Sequence, residues 1–186
     1  VILAVEGLDG SGKTTVGRLL AEMLGTRLVP LPPPDLELVR PTLFLDLTSE
    51  VRYAYYVAAL LSVASQVDPG ELIVADRFLA SAHAMHLRVD TPVGQELARL
   101  SLPTADFTVC LQVEEPERRR RVRNGGREPD HFERLLEEDH RFREDVARKM
   151  QSLGPTVVVA TTGRPPEEIA QEALRCWEAH WREDVR

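Results

Sequence analysis

The chain predicts an α/β fold with a parallel sheet. Three observations predict it: Val1-Ile2-Leu3-Ala4-Val5 is apolar without a break, a glycine-rich turn follows, and the next segment carries apolar residues at helical spacing. A central parallel strand covered by helices on both faces is apolar at every position, whereas a strand with one wet face alternates. After the turn, Val16, Leu19, Leu20, Met23 and Leu24 fall at i, i+3, i+4, i+7 and i+8, a single buried stripe, and Gly25 supplies the stop. A short strand at 27–29 runs into Leu31-Pro32-Pro33-Pro34-Asp35, where missing amide donors and fixed φ angles predict a stiff extended loop. Residues 50–67 predict a helix that is apolar nearly all round (Tyr53, Tyr56, Val57, Leu60, Leu61, Ala64), either a core helix or half of a subunit interface.

Glu71-Leu72-Ile73-Val74-Ala75-Asp76 reads as a second buried strand, closed by an acid where the strand would emerge at the edge of the sheet. Helices are expected over 79–87 and 93–100, and a strand over 105–113 on the alternation of Phe107, Val109, Leu111 and Val113. The polar stretch 114–130 holds Arg118, Arg119, Arg120, Arg121, Arg123 and Arg127 around Gly125-Gly126. One long amphipathic helix is expected over 130–150, a last strand over 156–160, and a final helix opened by Pro165-Pro166-Glu167-Glu168, proline and acid suiting a helix N-terminus.

With 186 residues, 43% hydrophobic and 28% charged, the chain fits one domain, 1–186, and holds no internal repeat. No apolar run is long enough to span a membrane and no signal peptide is read, so a cytoplasmic protein is expected. Cys110 and Cys176 lack the spacing of a zinc or redox pair and read as free thiols. The net charge of −7, from 23 basic and 30 acidic residues, argues against nucleic acid and anionic membranes as partners.

Gly7-Leu8-Asp9-Gly10-Ser11-Gly12-Lys13-Thr14 matches G-x-x-x-x-G-K-[ST] between an apolar strand and an amphipathic helix. In that context the glycines let backbone amides and the helix N-terminus wrap a polyphosphate; Lys13 would reach its β and γ oxygens and Thr14 would ligate Mg²⁺. Asp76 is the expected outer metal ligand, with a helix cap or surface ion pair as its plainer role. Arg77 beside it could bind a phosphate bidentately or merely pair with an acid. The arginine stretch admits three readings: a solvated face paired with Glu114, Glu115 and Glu117, a nucleic-acid patch, or a lid closing over phosphates. The lid, at about 118–130, is preferred for Arg121, Arg123 and Arg127 and the ion-paired face for one or two of the others, and the absence of interleaved aromatics disfavours nucleic acid. His83 and His86, at i and i+3, are expected in packing roles rather than as metal ligands, and Trp177 and Trp181 in core anchoring.

Val5-Glu6-Gly7-Leu8-Asp9-Gly10-Ser11-Gly12-Lys13-Thr14-Thr15 resembles the opening of thymidylate kinases, P-loop nucleoside monophosphate kinases that phosphorylate dTMP with ATP and Mg²⁺. Asp76-Arg77-Phe78 with Ser81, the strand from Ala105-Asp106-Phe107, and Arg121-Val122-Arg123 through Asp130-His131-Phe132-Glu133 resemble three further family segments in order and spacing. The resemblance implies a P-loop fold with a five-stranded parallel sheet flanked by helices on both faces, ATP with Mg²⁺ as cofactors, nucleotide substrates, and a homodimer. It implies Asp9 near the acceptor's sugar and phosphate, Arg77 on the acceptor phosphate, catalytic roles for Lys13, Asp9, Arg77, Arg123 and Arg127, and Thr162 and Gly163 beside the adenine. Gly7, Gly10, Ser11, Gly12, Lys13, Thr14, Thr15, Arg121 and Arg123 would hold ATP; Asp9, Arg40, Tyr53, Tyr56, Arg77 and Ser81 would hold the acceptor; Thr14 and Asp76 would hold the metal.

The departures fall mostly on the acceptor side, and the lid also varies, with Gly125 where an arginine is frequent. Pro30-Leu31-Pro32-Pro33-Pro34-Asp35 stands where bacterial members carry an Arg-Glu-Pro-Gly-Gly-Thr-like segment, and Ala82 and Met85 stand where many place Asn and Tyr. A phosphate acceptor is already ionised, whereas a hydroxyl acceptor needs a carboxylate base. Only Asp35, with Asp9 in reserve, offers one, which favours a monophosphate kinase over a kinase of nucleoside or other small-molecule hydroxyls. A catalytically silent nucleotide switch is the remaining alternative.

Overall fold

The computed structural model of the 186-residue chain describes residues 1–38, 48–126 and 131–184. Strands β1 (Ile2–Gly7), β2 (Arg27–Pro30), β3 (Ile73–Asp76), β4 (Phe107–Gln112) and β5 (Thr156–Ala160) form one five-stranded sheet in the order β2-β3-β1-β4-β5. All four pairings are parallel. The chain turns to one side of β1 for β2 and β3 and to the other for β4 and β5, so the loops part above the carboxyl end of β1, where open α/β sheets bind ligands.

The unbroken apolarity of residues 2–5 in β1 follows from helices on both faces. Leu3 and Val5 point to one face, where they meet Val16 and Leu20 of α1 (Lys13–Leu24) and Ile169, Ala170 and Ala173 of α9 (Pro166–Asp184). Ile2 and Ala4 point to the other, against Ala59, Leu60 and Val63 of α3 (Ser49–Ser65) and the entry to α4 (Leu79–His86). The period-2 alternation of a strand therefore assigns each residue of β1 to a layer, and Glu6 falls on the α4 side. Trp177 packs against the α1/α9 layer, and its ring meets that of Trp181 edge-on at 6.0 Å.

Two segments differ from expectation. The proline run does not stay extended: Pro33 is extended, and a single helical turn, α2 (Pro34–Glu37), starts with Pro34 in the first helical position, where a missing N–H costs nothing. The helix expected over 130–150 is two, α7 (His131–Glu138) and α8 (His140–Met150). Asp139 breaks it, because its carboxylate accepts from Phe142 N at 3.0 Å and caps α8. The short α5 (Pro92–Leu97) and α6 (Glu115–Asn124) complete the described elements.

Candidate functional site

The loop between β1 and α1 is a cradle that only glycine can line. At Gly7, with φ +141°, a Cβ would stand 2.6 Å from Leu111 O; at Gly10, with φ +84°, it would stand 2.8 Å from Arg118 O. The loop is closed by Ser11 N donating to Leu8 O at 3.1 Å, and α1 begins at Lys13 with its amide-bearing end facing the cradle. Lys13 is buried; its Nζ donates to Leu8 O at 2.9 Å and lies 3.4 Å from Asp9 Oδ1. Burial, then the neighbouring Arg77, pulls the Lys13 pKa below its ordinary value, against the opposing pull of Asp9 and Asp76.

The carboxyl end of β3 brings Asp76 to this cradle, as the strand order requires. Thr14 Oγ1 donates to Asp76 Oδ2 at 2.5 Å, so the hydroxyl and carboxylate predicted as metal ligands meet across 62 residues. Hard oxygen donors beside a phosphate cradle fit Mg²⁺, which takes one or two protein oxygens and completes its shell with water and phosphate.

Arg77 leaves β3 with φ +71°, among the described residues the one non-glycine with a positive φ. Its guanidinium pairs with Asp9 and donates to Ser81 Oγ at 3.1 Å and Gly7 O at 3.4 Å. Burial opposes the charge of Arg77, and Asp9, Glu6 and Asp76 outweigh it, holding the pKa above the ordinary arginine value. Glu6 is 0% exposed. It accepts from Phe78 N at 2.9 Å, from Ser81 N at 3.1 Å and from the Ser81 hydroxyl. Burial raises the Glu6 pKa in spite of those bonds and the Arg77 charge.

Two cavities of about 430 Å³ each flank the cradle. One is lined by Asp9, Lys13, Thr14, Asp76, Arg77 and Arg121, with Pro30 and Leu31 as its apolar wall. The other lies towards β5 and is lined by Thr15, Glu117, Arg120, Gly163, Arg164 and Ile169 among others. Arg121 reaches both, with Nη1 near Gly10 O, Ser11 O and Thr161 Oγ1 (3.4, 3.5 and 3.3 Å) and Nη2 donating to Thr161 O at 2.9 Å. Glu117 holds its Nε at 2.9 Å.

Not every predicted site residue joins this constellation. Tyr53, expected to hold the acceptor, is 0% exposed and meets His83 edge-on, and burial pushes its hydroxyl up to about 12; it has no ring face to offer. Tyr56 is half-buried and stacks on His86 at 4.9 Å and 8°. Ser81 is buried behind Arg77 rather than lining the cavity. Arg123 is exposed, donates to Arg119 O at 3.2 Å and lines neither cavity. Thr162 accepts from Glu114 N at 2.8 Å and so ties the β5 loop to α6, while its neighbour Gly163 does line the second cavity. Arg40 and Arg127 lie outside the described residues.

Arg118 falls on the ion-paired face expected for one or two of these arginines; its burial and its reach to the cradle are what the sequence did not show. This side chain, 3% exposed, pairs with Glu115 (2.8 Å) and Glu137, and donates to Asp9 O at 3.3 Å; Arg143 joins Glu115 at 3.2 Å. The network pins α6 to the cradle and to α7 and α8, so the first half of the stretch read as a lid is a fixed stem. The Glu115–Arg118 spacing of i, i+3 was the available signal. Arg164, which lines the second cavity and pairs with Glu172 at 2.6 Å, carried no signal beyond its charge.

A glycine cradle opening a helix, a buried lysine on its floor, and a hydroxyl of that helix paired with a carboxylate of the neighbouring strand define a P-loop phosphotransferase. The model of the Thymidylate kinase family matches residues 5–173. A probable thymidylate kinase of Archaeoglobus fulgidus is 27% identical over 96% of this chain and 95% of its own length. The thymidylate kinase of Xanthomonas campestris pv. campestris is 31% identical over 72% of this chain, a stretch that spans 65% of that protein. Among solved structures, the thymidylate kinase of Candida albicans superposes with a TM-score of 0.72 at 19% identity, covering 96% of this chain and 91% of that one. The chain belongs to the thymidylate kinase family, ATP-dependent phosphotransferases of the nucleoside monophosphate kinase type. Among the described residues, no helix is long and apolar enough to cross a membrane.

Proposed function

We propose that this single-domain chain transfers the γ-phosphoryl group of ATP to dTMP or a closely related nucleoside monophosphate, in the cavity bounded by Asp9, Arg77 and Leu31. The observation that carries this reading is the engagement of both carboxylates lining that cavity. Asp9 is held by Arg77 and Lys13, and Asp76 by Thr14. A hydroxyl acceptor would need one of them as a base; an ionised phosphate acceptor needs none.

In this reading Gly7 to Thr15 wrap the phosphates of ATP, the adenine occupies the cavity beside Gly163, and the acceptor phosphate rests on Arg77. An acceptor phosphate oxygen attacks the γ phosphorus while the bond to the bridging oxygen breaks and ADP leaves. Lys13 exchanges its contact with Leu8 O for the transferring oxygens, and Arg121, which lines both cavities, neutralises charge on the phosphoryl group between them. Thr14 and Asp76 would hold Mg²⁺, which supplies Lewis-acid neutralisation of the phosphate oxygens. Arg121 takes its charge-neutralising role from the fixed stem, and Asp9 aligns Arg77 rather than accepting a proton.

We also propose a homodimer through α3, because its solvent side is apolar or small: Val51 and Leu61 are 46% and 47% exposed, and Ala54 and Ala58 lie exposed between them. The free thiols Cys110 and Cys176, the former buried and pushed up to about 12, suit a reducing cytoplasm. A coupled ADP-release assay over dTMP, the other monophosphates and a nucleoside panel tests the acceptor. Turnover of monophosphates and silence with nucleosides is expected, and the reverse pattern overturns the reading. Sedimentation of Leu61→Glu against the parent chain tests the dimer.

A further inference from the structure

We infer that Glu6 is a positioning residue for the acceptor phosphate, acting through Ser81 and Arg77 rather than touching any substrate. Three observations converge on it.

The first is its place. Glu6 is the one charged side chain in β1, fully enclosed, on the face that packs against α4. A carboxylate there is costly, since burial disfavours its charge, and an apolar residue would continue the Ile2/Ala4 layer without that cost. The second is what it holds. The N-cap of α4, Phe78, has no side-chain cap, and Glu6 Oε1 takes over by accepting from Phe78 N and Ser81 N at 2.9 and 3.1 Å. Those amides bracket the residues directly after Arg77, whose left-handed backbone persists only where neighbours over-determine it. Arg77 N donates to Val5 O at 3.0 Å on the other side, so β1 grips the kink before and after.

The third is the relay. The Ser81 hydroxyl has one proton, which it gives to Glu6 Oε2, and this leaves the oxygen lone pairs facing Arg77 Nη1 at 3.1 Å. The carboxylate thereby sets the direction of the hydroxyl, the hydroxyl holds one edge of the guanidinium, and Asp9 holds the other. With both edges fixed, the guanidinium presents one orientation to the cavity, the preorganisation that bidentate capture of a phosphate requires.

This inference rests on the reading of Arg77 as the acceptor-phosphate residue, and the experiment separates the two. Steady-state kinetics are measured with dTMP, or with whichever monophosphate in the panel turns over fastest, for Glu6→Gln, Ser81→Ala, their double variant and Arg77→Ala. Glutamine keeps the shape and an oxygen for the two amides, but its NH₂ cannot accept the serine proton. The expected result is an acceptor KM raised roughly fivefold or more in Glu6→Gln and in Ser81→Ala, an ATP KM within twofold of the parent, and a double variant no worse than the worse single one. A cap that serves the fold alone would lower Tm and leave that KM split unmoved. An acceptor KM raised by Arg77→Ala but unchanged in both Glu6→Gln and Ser81→Ala overturns the inference and spares the Arg77 reading. An acceptor KM unchanged by Arg77→Ala overturns both. Should Glu6→Gln fail to fold, Ser81→Ala decides by the same KM split.

Discussion

The two sides of the cleft are built differently. The side proposed for the donor is written in consecutive residues, Gly7 to Thr15, whose backbone makes the cradle. The cavity proposed for the acceptor is assembled from points far apart in sequence: Asp9 from the cradle, Leu31 after β2, Arg77 after β3, with Glu6 and Ser81 behind them. A backbone site is specified by local geometry and tolerates almost no variation where φ is positive. A side-chain site assembled by tertiary packing can be rewritten one residue at a time, and the departures from the family pattern fall mostly on that side.

The comparison predicts different kinetic signatures. The largest effect is expected at Lys13: Lys13→Ala should lower kcat by about 10²–10³-fold, because a desolvated charge that stabilises the migrating phosphoryl group is lost. A coupled assay at saturating ATP and acceptor checks it, and a full-rate variant would remove Lys13 from the site. Next comes Arg77→Ala, which should raise acceptor KM by about 10–100-fold, the equivalent of a charged hydrogen bond of about 1.5–3 kcal/mol, and leave ATP KM unmoved. If both KM values rose together, the division into two sides would fail.

How much of this was legible in the sequence follows from the same contrast. The strands and their parallel arrangement were readable because β1, β3 and β4 carry their burial as residue type, and the cradle was readable because its spacing is local. Tyr53 was misplaced because a tyrosine on an all-round apolar helix gives no sign of which side meets the cleft; only the packing of α3 on α4 settles it. The break at Asp139 was missed because an amphipathic period continues across a cap, with Leu136 and Val146 on the same buried side. Glu6 was visible as an anomaly, a carboxylate inside an apolar strand, but its partners lie 72 and 75 residues away.

A smaller effect is expected where the two sides are joined. Arg118 anchors α6 through Glu115 and Glu137 and touches the cradle at Asp9 O. Arg118→Ala removes one cation from each carboxylate, leaving Glu115 with Arg119 and Arg143 and Glu137 with Arg119 at 3.8 Å, and because each is about 30% exposed the loss is put at about 1–3 kcal/mol, below that of a fully enclosed pair. For a chain of this length that corresponds to a fall in Tm of about 3–10 °C. An unchanged Tm would mean that the stem is held by α6 packing alone.

The smallest and most discriminating effect is in pH, because buried or half-buried carboxylates on the two sides are shifted in opposite directions. Burial opposes the charge of Glu115, but the hydrogen bonds and charges of Arg118, Arg119 and Arg143 outweigh it and hold the carboxyl down to about 2. Its folded pKa is below the ordinary 4.5, so its contribution to stability is full above that value and is lost as pH falls through the window down to about 2. Glu6 is raised by burial, so the folded chain binds its proton more tightly than the unfolded one, a contribution that is full below the ordinary 4.5 and is lost as pH rises through the folded pKa. Between pH 7 and about pH 3, Glu115→Gln should therefore lose its deficit against the parent chain on acidification. Glu6→Gln should instead lose any advantage it holds at neutral pH. Melting curves across that range would show two difference plots of opposite sign converging at low pH. Parallel plots would mean that burial does not raise Glu6 in the folded chain, and the two carboxylates would then not be shifted in opposite directions.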